Sequence, residues 1–323
     1  MSWLVTGGAG YIGAHVARAL QERELDVVVL DDLSSGHRDF VGPQTPFVQG
    51  SVVDPAAVRD VLRGHGCTGV VHLAGFKYAG VSVERPLHTY EQNVTGMQVL
   101  LGAMSELGVC QLVFSSSAAV YGTPDVDLVT EATDCRPQSP YGESKLVSEW
   151  LIGDVARVSP LRHTSLRYFN VVGSGWPDLY DTSPHNLFPL VLKALTEGRT
   201  PVVRGTDYPT PDGSCVRDYV HVSDVADAHV QAALGLTAGR PLEPAYNLGS
   251  GTGVSVLEIM SAMSRVTGAG FTPEVAPRRP GDPARIVASG ELAARDLAWA
   301  GRRSLDECVR SAWESWRAAQ PAA

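Results

Sequence analysis

The sequence predicts an α/β fold: a doubly wound parallel sheet followed by a smaller α/β lobe that binds the substrate. Two observations predict it. Short β-rich runs alternate with helical patterns through residues 1–170, which is typical of a parallel sheet covered by helices. A glycine-rich turn also separates the first predicted strand from the first predicted helix, as it does in nucleotide-binding α/β domains.

The elements of the sheet follow in order from these patterns. Short β-rich runs predict strands at residues 3–6, 26–30, 69–74, 111–115 and 164–168. Helical patterns cover residues 14–21, 55–64, 86–107 and 141–158, and Asp54 and Pro55 mark the start of the second helix. Right-handed crossovers then give a doubly wound sheet, whose ligand site lies at the carboxyl ends of its strands.

The pattern changes after residue 170, where prolines interrupt the chain as far as residue 211. Helices are predicted again at residues 224–233, 256–267 and 304–316. We therefore expect a nucleotide-binding domain over residues 1–170 and a less regular lobe over residues 171–323, interleaved with the sheet and closing over a substrate.

Composition excludes several classes of partner. The net charge of -9 argues against nucleic acid or an anionic membrane surface. The five cysteines form no C-x-x-C pair, so neither a metal site nor a disulfide framework is expected. No apolar run approaches the length of about 18 residues that spans a membrane, and the first strand leaves no room for a signal peptide, so we expect a cytoplasmic protein.

The glycine turn predicts a dinucleotide site of the Rossmann type. Gly7, Gly10 and Gly13 are spaced so that the turn, the approach of a pyrophosphate and the packing of the helix can each use a missing side chain. The strand that follows ends in Asp31 and Asp32, where a carboxylate would bind a ribose 2′-hydroxyl and repel a 2′-phosphate. NAD is therefore expected rather than NADP. A glycine turn that only joins strand to helix is the alternative.

Tyr141 and Lys145 form a second candidate site in a chain with only three lysines. Positions i and i+4 share one face of a helix, which brings the lysine ammonium near the phenol. A nearby cation lowers the pKa of a tyrosine from about 10 toward neutrality, so Tyr141 is a candidate general base. The alternative is a pair on the surface of an amphipathic helix.

A resemblance to a known family rests on nine segments in the same order along the chain. They are VTGGAGYIG (5–13), LDDLSSG (30–36), VVHLAGFK (70–77), FSSSAAVYG (114–122), SPYGESK (139–145), LRYFNVVG (166–173), GTDYPTPDGSCVRDYVHV (205–222), YNLGSGTGVSV (246–256) and APRRPGD (276–282). With these segments the chain resembles the extended short-chain dehydrogenase/reductases, and among them the UDP-glucose 4-epimerases, also called UDP-galactose 4-epimerases.

The resemblance implies a role for each matching residue. It implies catalysis by Tyr141, Lys145 and Ser117, the serine bridging substrate and tyrosine. The NAD-binding residues it implies are Gly7, Gly10, Tyr11, Ile12, Gly13, Asp31, Asp32, Leu33, Ser34, Ser35, Gly36, Ser51, Val52, Leu73, Ala74, Gly75, Phe76, Lys77, Asn93, Ser117, Tyr141, Lys145 and Phe169. The UDP-sugar contacts it implies are Ser117, Tyr141, Asn170, Asn186, Leu187, Val202, Val203, Arg204, Arg217, Tyr219, Arg279, Asp282 and Ile286.

The implied reaction interconverts UDP-glucose and UDP-galactose. NAD oxidises C4 of the hexose, the 4-keto sugar turns about its phosphate linkage, and the hydride returns to the other face. Tyr141 then takes a proton from one epimer and returns it to the other, while Lys145 and the positive nicotinamide keep the pKa of the phenol low. A homodimer formed by the helices near 86–107 and 141–158 is also implied.

Three departures from the family pattern bear on the substrate and the cofactor. Ser51 stands where the family often has an aspartate that contacts adenine, Arg204 where an aromatic residue is common near uracil, and Ile286 at the position that gates N-acetylated sugars. Isoleucine is intermediate in size at this gate, so unacetylated UDP-glucose and UDP-galactose are favoured and UDP-N-acetylglucosamine stays open. UDP-pentoses and UDP-uronic acids also stay open, because the uridine contacts would be the same.

Different reactions on the same fold are also considered. A 4,6-dehydratase would need an Asp-Glu pair where residues 116–119 have none, which argues against elimination of water. A dehydrogenase would release its reduced cofactor, and a non-enzymatic NAD sensor would lack the catalytic residues, which this chain retains.

Overall fold

A computed structural model describes residues 1–279 and 282–320. Its strands are β1 (Ser2–Thr6), β2 (Asp26–Asp31), β3 (Phe47–Gln49), β4 (Cys67–His72), β5 (Gln111–Ser115), β6 (Arg162–Tyr168), β7 (Asn170–Val172), β8 (Val202–Arg204), β9 (Val216–Arg217), β10 (Tyr219–His221), β11 (Ala245–Leu248), β12 (Val254–Ser255), β13 (Glu274–Ala276) and β14 (Arg285–Ile286). Its α-helices are α1 (Tyr11–Glu22), α2 (Pro55–Gly64), α3 (Ala79–Glu84), α4 (Pro86–Tyr90), α5 (Gly96–Leu107), α6 (Pro140–Val158), α7 (Leu187–Thr196), α8 (Val222–Thr237), α9 (Val256–Thr267), α10 (Glu291–Leu297) and α11 (Leu305–Ala318).

The central sheet has seven strands in the order β11-β6-β5-β4-β1-β2-β3, and neighbouring strands run parallel. The strand order reverses direction at β1, as doubly wound sheets require. The carboxyl ends of β1, β2, β4, β5 and β6 therefore meet at one edge of the sheet, as the sequence predicts.

Both faces of the sheet are covered because successive side chains of a strand point to opposite sides. Trp3 and Val5 of β1 pack in the core beneath α1 and α8, while Leu4 between them packs in the core beneath α2 and α5. The predicted helix over residues 55–64 is confirmed, with the Asp54 carboxylate accepting the amide of Ala56 at 2.9 Å.

The predicted long helix over residues 86–107 is wrong in its detail. The structure divides it into α4, a π-helical turn at Glu91–Thr95 and α5. The turn places Asn93 so that its Oδ1 accepts the backbone amide of Phe76 at 2.6 Å and its Nδ2 donates to the backbone carbonyl of Phe76 at 3.1 Å. The π-helical turn thus occurs where Asn93 satisfies the backbone of the neighbouring loop, a hydrogen-bonding requirement that the helical pattern of the sequence does not show.

A second core lies outside the main sheet. It is built from α7, α9, α11 and β8, with Phe188, Met260 and Val309 at its centre. Two later elements nevertheless return to the main sheet, because β11 pairs with β6 and α8 packs against its face. The division into domains at residue 170 stays a prediction. Within the described residues, no helix combines the length and the apolar character needed to cross a bilayer.

Candidate active site

A cleft of about 1010 Å³ opens at the carboxyl edge of the main sheet. One wall is formed by the loops that follow β1, β2 and β4, and the opposite wall by α7, β8, β9 and the strand β10 that follows. The start of α6 lies between them. The cleft therefore brings together segments from both ends of the chain, from Gly7 to Asp282.

The glycine turn leaves no room for side chains. A Cβ atom on Gly7, whose φ is +71°, would lie 2.7 Å from the amide nitrogen of Ala74. A Cβ on Gly13 would lie 2.1 Å from the carbonyl oxygen of Gly7. The turn is thus closely packed between β4 and α1, and the amino end of α1 faces the cleft without a side-chain cap. Such an end binds phosphate through its free backbone amides.

Asp31 lies at the end of β2 beside this turn. Its two carboxylate oxygens accept the amides of Ala9 and Leu33, both at 2.9 Å, and only 7% of the residue is exposed. Burial raises the pKa of its carboxyl group, an effect that the two amides oppose. Each oxygen keeps a further lone pair for a hydroxyl group. Asp32 is exposed and accepts the amide of Ser34 at 2.9 Å.

These residues fit NAD. Side chains at the glycines would clash with the backbone of the turn, so only glycine leaves it free to approach a diphosphate. The amino end of α1 offers backbone amides to that diphosphate, and Asp31 offers a carboxylate to a ribose hydroxyl. The donor set therefore agrees with the cofactor that the sequence predicts.

Tyr141 and Lys145 lie on α6, which begins at Pro140 after the Ser139 cap accepts the amide of Gly142 at 3.2 Å. Nζ of Lys145 donates to the carbonyl oxygen of Ser115 at 2.9 Å and lies 5.9 Å from the centre of the Tyr141 ring. The Ser117 side chain opposes the rise that burial causes in the pKa of the Tyr141 phenol, and its hydroxyl accepts the amide of Ala119 at 3.2 Å. The structure thus brings the three predicted catalytic residues together in the cleft.

The expected effect of Lys145 on Tyr141 is wrong in this structure. Burial raises the pKa of Tyr141 above its ordinary value, and the opposing effect comes from Ser117 rather than from the lysine. Burial also lowers the pKa of Lys145 to about 8, although the carboxylate of Glu149 raises it in part. The ammonium donates to the Ser115 carbonyl rather than to the phenol.

The proposed substrate side contains a cluster of charged and polar groups. Arg217, which is 11% exposed at its side chain, lies 3.6 Å from the carboxylate of Asp282. Asn186 donates to Asp181 at 2.7 Å. The predicted substrate residues that line the cleft are Ser117, Tyr141, Asn170, Asn186, Leu187, Val202, Arg204, Arg217, Tyr219, Arg279 and Asp282.

Most of the predicted cofactor residues also line the cleft. They are Gly7, Gly10, Tyr11, Ile12, Gly13, Asp31, Asp32, Ser34, Ser35, Gly36, Val52, Leu73, Ala74, Gly75, Phe76, Lys77, Ser117, Tyr141, Lys145 and Phe169.

Five predicted site residues do not line it. Val203 is buried in the second core and Leu33 packs against the main one. Asn93 lies behind the loop of Phe76. Ser51 faces its own turn, where its hydroxyl accepts the amide of Val53 at 3.4 Å, and Ile286 packs beside Phe169. For Val203, the neighbours in sequence face the cleft instead, since alternate residues of extended chain point in opposite directions.

The structure adds cleft residues that the sequence did not predict. Those with polar or charged side chains include Tyr78, Arg85, His88, Gln92, Asp181, His185 and Arg199. Tyr78 and His185 come from opposite walls, and their rings meet edge to face at 4.9 Å. The position of Tyr78 directly after Lys77 was an available signal, whereas Asp181 and His185 lie in the irregular, proline-rich stretch, where no periodicity places a side chain.

Comparisons with known proteins agree with this geometry. A family model, "NAD dependent epimerase/dehydratase family", matches residues 3–249. The chain belongs to this family. A UDP-glucose 4-epimerase of Corynebacterium glutamicum is 43% identical over 97% of this chain and 95% of its own length. The relationship therefore extends beyond the matched residues to almost the entire chain.

Solved structures are similar over the same extent. One UDP-glucose 4-epimerase superposes with a TM-score of 0.94 at 41% identity, covering 98% of both chains. Another, from Stenotrophomonas maltophila, was solved with bound NAD and formylated UDP-arabinopyranose; its TM-score is 0.93 at 39% identity, with 98% of both chains covered. The predicted fold class, the resemblance, the enzyme class and the NAD cofactor are confirmed.

Proposed function

We propose that this NAD-dependent enzyme interconverts UDP-glucose and UDP-galactose reversibly by inverting C4 of the hexose. The observation that carries the proposal is the meeting of Tyr141, Ser117 and Lys145 in one cleft with the glycine turn. A base, a hydroxyl donor and a cation beside a dinucleotide site are what an alcohol oxidation at C4 requires.

Each residue has a defined part in this reaction. Bound NAD would supply the group that accepts a hydride from C4 and returns it. The positive nicotinamide of bound NAD would oppose the rise that burial causes in the pKa of Tyr141, and the resulting phenolate takes the proton of the 4-hydroxyl and returns it to the oxygen at C4 of the other epimer. The Ser117 hydroxyl, which lines the cleft together with Tyr141, orients the sugar oxygen toward the phenol. Lys145 offers its remaining N–H groups to ribose hydroxyls, since Ser115 occupies one of them.

The two ends of the substrate would be held unequally. Arg217 and Arg279 line the side of the cleft away from the glycine turn, and guanidinium groups bind diphosphates bidentately. The sugar end is bordered by the single hydroxyls of Ser117 and Tyr141. A firmly held UDP and a loosely held sugar allow the 4-keto sugar to turn and present its other face.

The substrate range includes two alternatives, UDP-N-acetylglucosamine and UDP-pentoses. Ile286 packs beside Phe169 and Tyr121, in the partly buried layer next to the cleft. Ile286 would therefore control the access of an N-acetylated sugar indirectly, through the neighbours that it packs against. A relative crystallised with a formylated UDP-arabinopyranose keeps pentoses among the substrates to be tested.

The assembly and location are also part of the proposal. Three apolar side chains on α4 and α6 are exposed, namely Leu87 at 84%, Trp150 at 59% and Val158 at 85%. A homodimer that pairs these helices would cover them, because exposed apolar side chains favour association. The five cysteines are free, which favours the reducing cytoplasm.

Turnover without added cofactor tests the function. The purified protein should convert UDP-galactose to UDP-glucose with NAD that co-purifies and is released on denaturation. Tyr141→Phe should lower kcat by about 10²- to 10⁴-fold, because it removes the group that carries the proton, and should keep its NAD. Tyr180→Phe, a tyrosine outside the cleft, is the matched control. Full turnover by Tyr141→Phe, or protein that folds without retaining NAD, would contradict the proposal.

A further inference from the structure

Glu149 lies on the same helix as the catalytic pair, and the reaction above does not use it. Tyr141, Lys145 and Glu149 are spaced by four residues on α6, so their side chains share one face of the helix. The Glu149 side chain is only 10% exposed. A carboxylate that is so poorly hydrated must be paired with a cation or with hydrogen-bond donors.

The partners of Glu149 come from two strand ends. Oε1 accepts the Ser116 hydroxyl at 2.5 Å and Nε of Arg167 at 3.0 Å, and Oε2 accepts the other arm of the same guanidinium at 2.5 Å. The Arg167 side chain is 9% exposed and continues to the Tyr121 hydroxyl at 2.8 Å. Both charges are therefore paired in bidentate geometry, the strongest arrangement for such a pair.

Ser116 is the central residue of the catalytic strand end. The carbonyl of Ser115 before it accepts from the ammonium of Lys145, and Ser117 after it lines the cleft together with Tyr141. A shift of Ser116 would therefore displace both the Lys145 contact and Ser117 at once. The carboxylate of Glu149 connects this strand end to the helix that carries the tyrosine and the lysine.

We propose that Glu149, held by Arg167 and joined to Ser116, is a positioning residue that fixes the 115–117 strand end against α6 and so aligns Ser117, Tyr141 and Lys145. These three residues, Ser116, Glu149 and Arg167, are the Glu149 clamp. The inference rests on the proposed function for its kinetic effect, whereas the clamp's effect on the strand end is independent of the reaction.

The carboxylate also influences the charge of Lys145. The titratable groups that face Lys145 are Tyr141 and Glu149 on α6 and His72 at the end of β4, with Tyr168 of β6 beside Tyr141. Burial keeps His72 neutral, with a pKa of about 3, so Glu149 supplies the negative charge of this group. Loss of that charge should move the pKa of Lys145 further below about 8.

Two variants separate positioning from charge. Ser116→Ala removes one hydrogen bond and leaves the ion pair intact, so the protein should fold normally. Its kcat for UDP-galactose should fall by about three- to ten-fold, the effect of one lost hydrogen bond, with KM and bound NAD unchanged. Glu149→Gln should lower kcat at least as much and should also shift the alkaline limb of the kcat profile to lower pH, a shift that Ser116→Ala should not produce.

Asp154→Asn is the matched control, because Asp154 is an exposed carboxylate on the same helix that pairs only with Arg157 among the described residues. Its kcat and pH profile should equal those of the unmodified protein. Amide hydrogen exchange of the peptide over residues 112–121 gives a readout that does not need turnover. Exchange there should be faster in Ser116→Ala and Glu149→Gln and unchanged in Asp154→Asn.

The outcomes are distinguishable. If the unmodified protein fails to convert UDP-galactose, the proposed function is wrong, and faster exchange in the two variants still supports the clamp. If both variants exchange like the unmodified protein, or keep kcat within about two-fold with an unmoved alkaline limb, the clamp is overturned. If Glu149→Gln does not fold because Arg167 is left unpaired, Ser116→Ala alone decides by its exchange and kcat.

Discussion

One chemical change, glycine to alanine, should have opposite effects on stability at Gly13, which packs against the glycine turn, and at Gly64, at the end of α2. Gly13→Ala adds a methyl group 2.1 Å from the carbonyl oxygen of Gly7 and 2.9 Å from Cα of Gly8. Contacts of real Cβ atoms are essentially never below 3.0 Å, so turn and helix must separate by about 0.9 Å. The turn cannot retreat, because Gly7 already packs against the backbone of Ala74.

The magnitude follows from the atoms that clash. Overpacking in a core costs about 1–3 kcal/mol when side chains can adjust. Here the added methyl group meets backbone atoms, so Gly13→Ala should lower the free energy of unfolding by about 3 kcal/mol. A displacement of this size also moves the amides that face a diphosphate, so Gly13→Ala should lose most of its NAD. Gly64→Ala, at the end of α2 with nothing within 4 Å, should instead gain about 0.4–1 kcal/mol because the unfolded chain is restricted.

Urea unfolding of the cofactor-free proteins measures the first effect, and the nucleotide released on denaturation measures the second. The two variants should move the unfolding midpoint in opposite directions, and only Gly13→Ala should lose NAD. If Gly13→Ala kept its NAD and lost less than about 0.5 kcal/mol, the close packing of turn and helix described above would be refuted.

Two further predictions concern charge. Because burial lowers the pKa of Lys145 to about 8, kcat should decline above about pH 8. Between about pH 8 and 10.5 the unfolded chain keeps the lysine proton that the folded protein has lost, so the contribution of Lys145 to the free energy of unfolding should rise with pH. Comparing the unfolding of Lys145→Met and of the unmodified protein across this pH range tests whether the contribution rises. Asp218, fully buried beside Arg217, accepts the amides of Ser250 and Ala288 at 2.9 and 3.1 Å, so Asp218→Asn should cost about 1.5–3 kcal/mol in urea unfolding and raise KM more than it lowers kcat.

The main sheet was predictable because its determinants are local. Five predicted runs coincide with β1, β2, β4, β5 and β6 to within two residues at either end, since strands buried on both faces are rich in apolar and β-branched residues, although β6 itself (RHTSLRY) is largely polar. The convergence of the strand ends then follows from topology alone. β3 and β11 were not predicted, and as the two edge strands, of three and four residues, they give little pattern.

The side-chain directions at the site were less predictable. Val202 and Arg204 face the cleft while Val203 between them is buried in the second core, a distinction that depends on which face of a three-residue strand is covered. The pKa of Tyr141 was misjudged for a related reason. Sequence spacing places Lys145 near the phenol but contains no measure of burial, and burial has the larger effect on this group.

The three consecutive serines of β5 and its end show what a structure adds to a motif. Ser115 shares the sheet face of Val113 and bonds His229 of α8 at 2.6 Å, while Ser116 points to the opposite face and bonds Glu149 of α6. Ser117 then reaches the cleft beside Tyr141. Alternation sends Ser115 and Ser116 to opposite faces of the sheet, whereas Ser117, beyond the end of β5, lines the cleft, so only one of the three serines lies where a substrate can bind. The repeated hydroxyl therefore anchors the catalytic strand end on both faces of the sheet, which leaves the third serine fixed in position for the reaction.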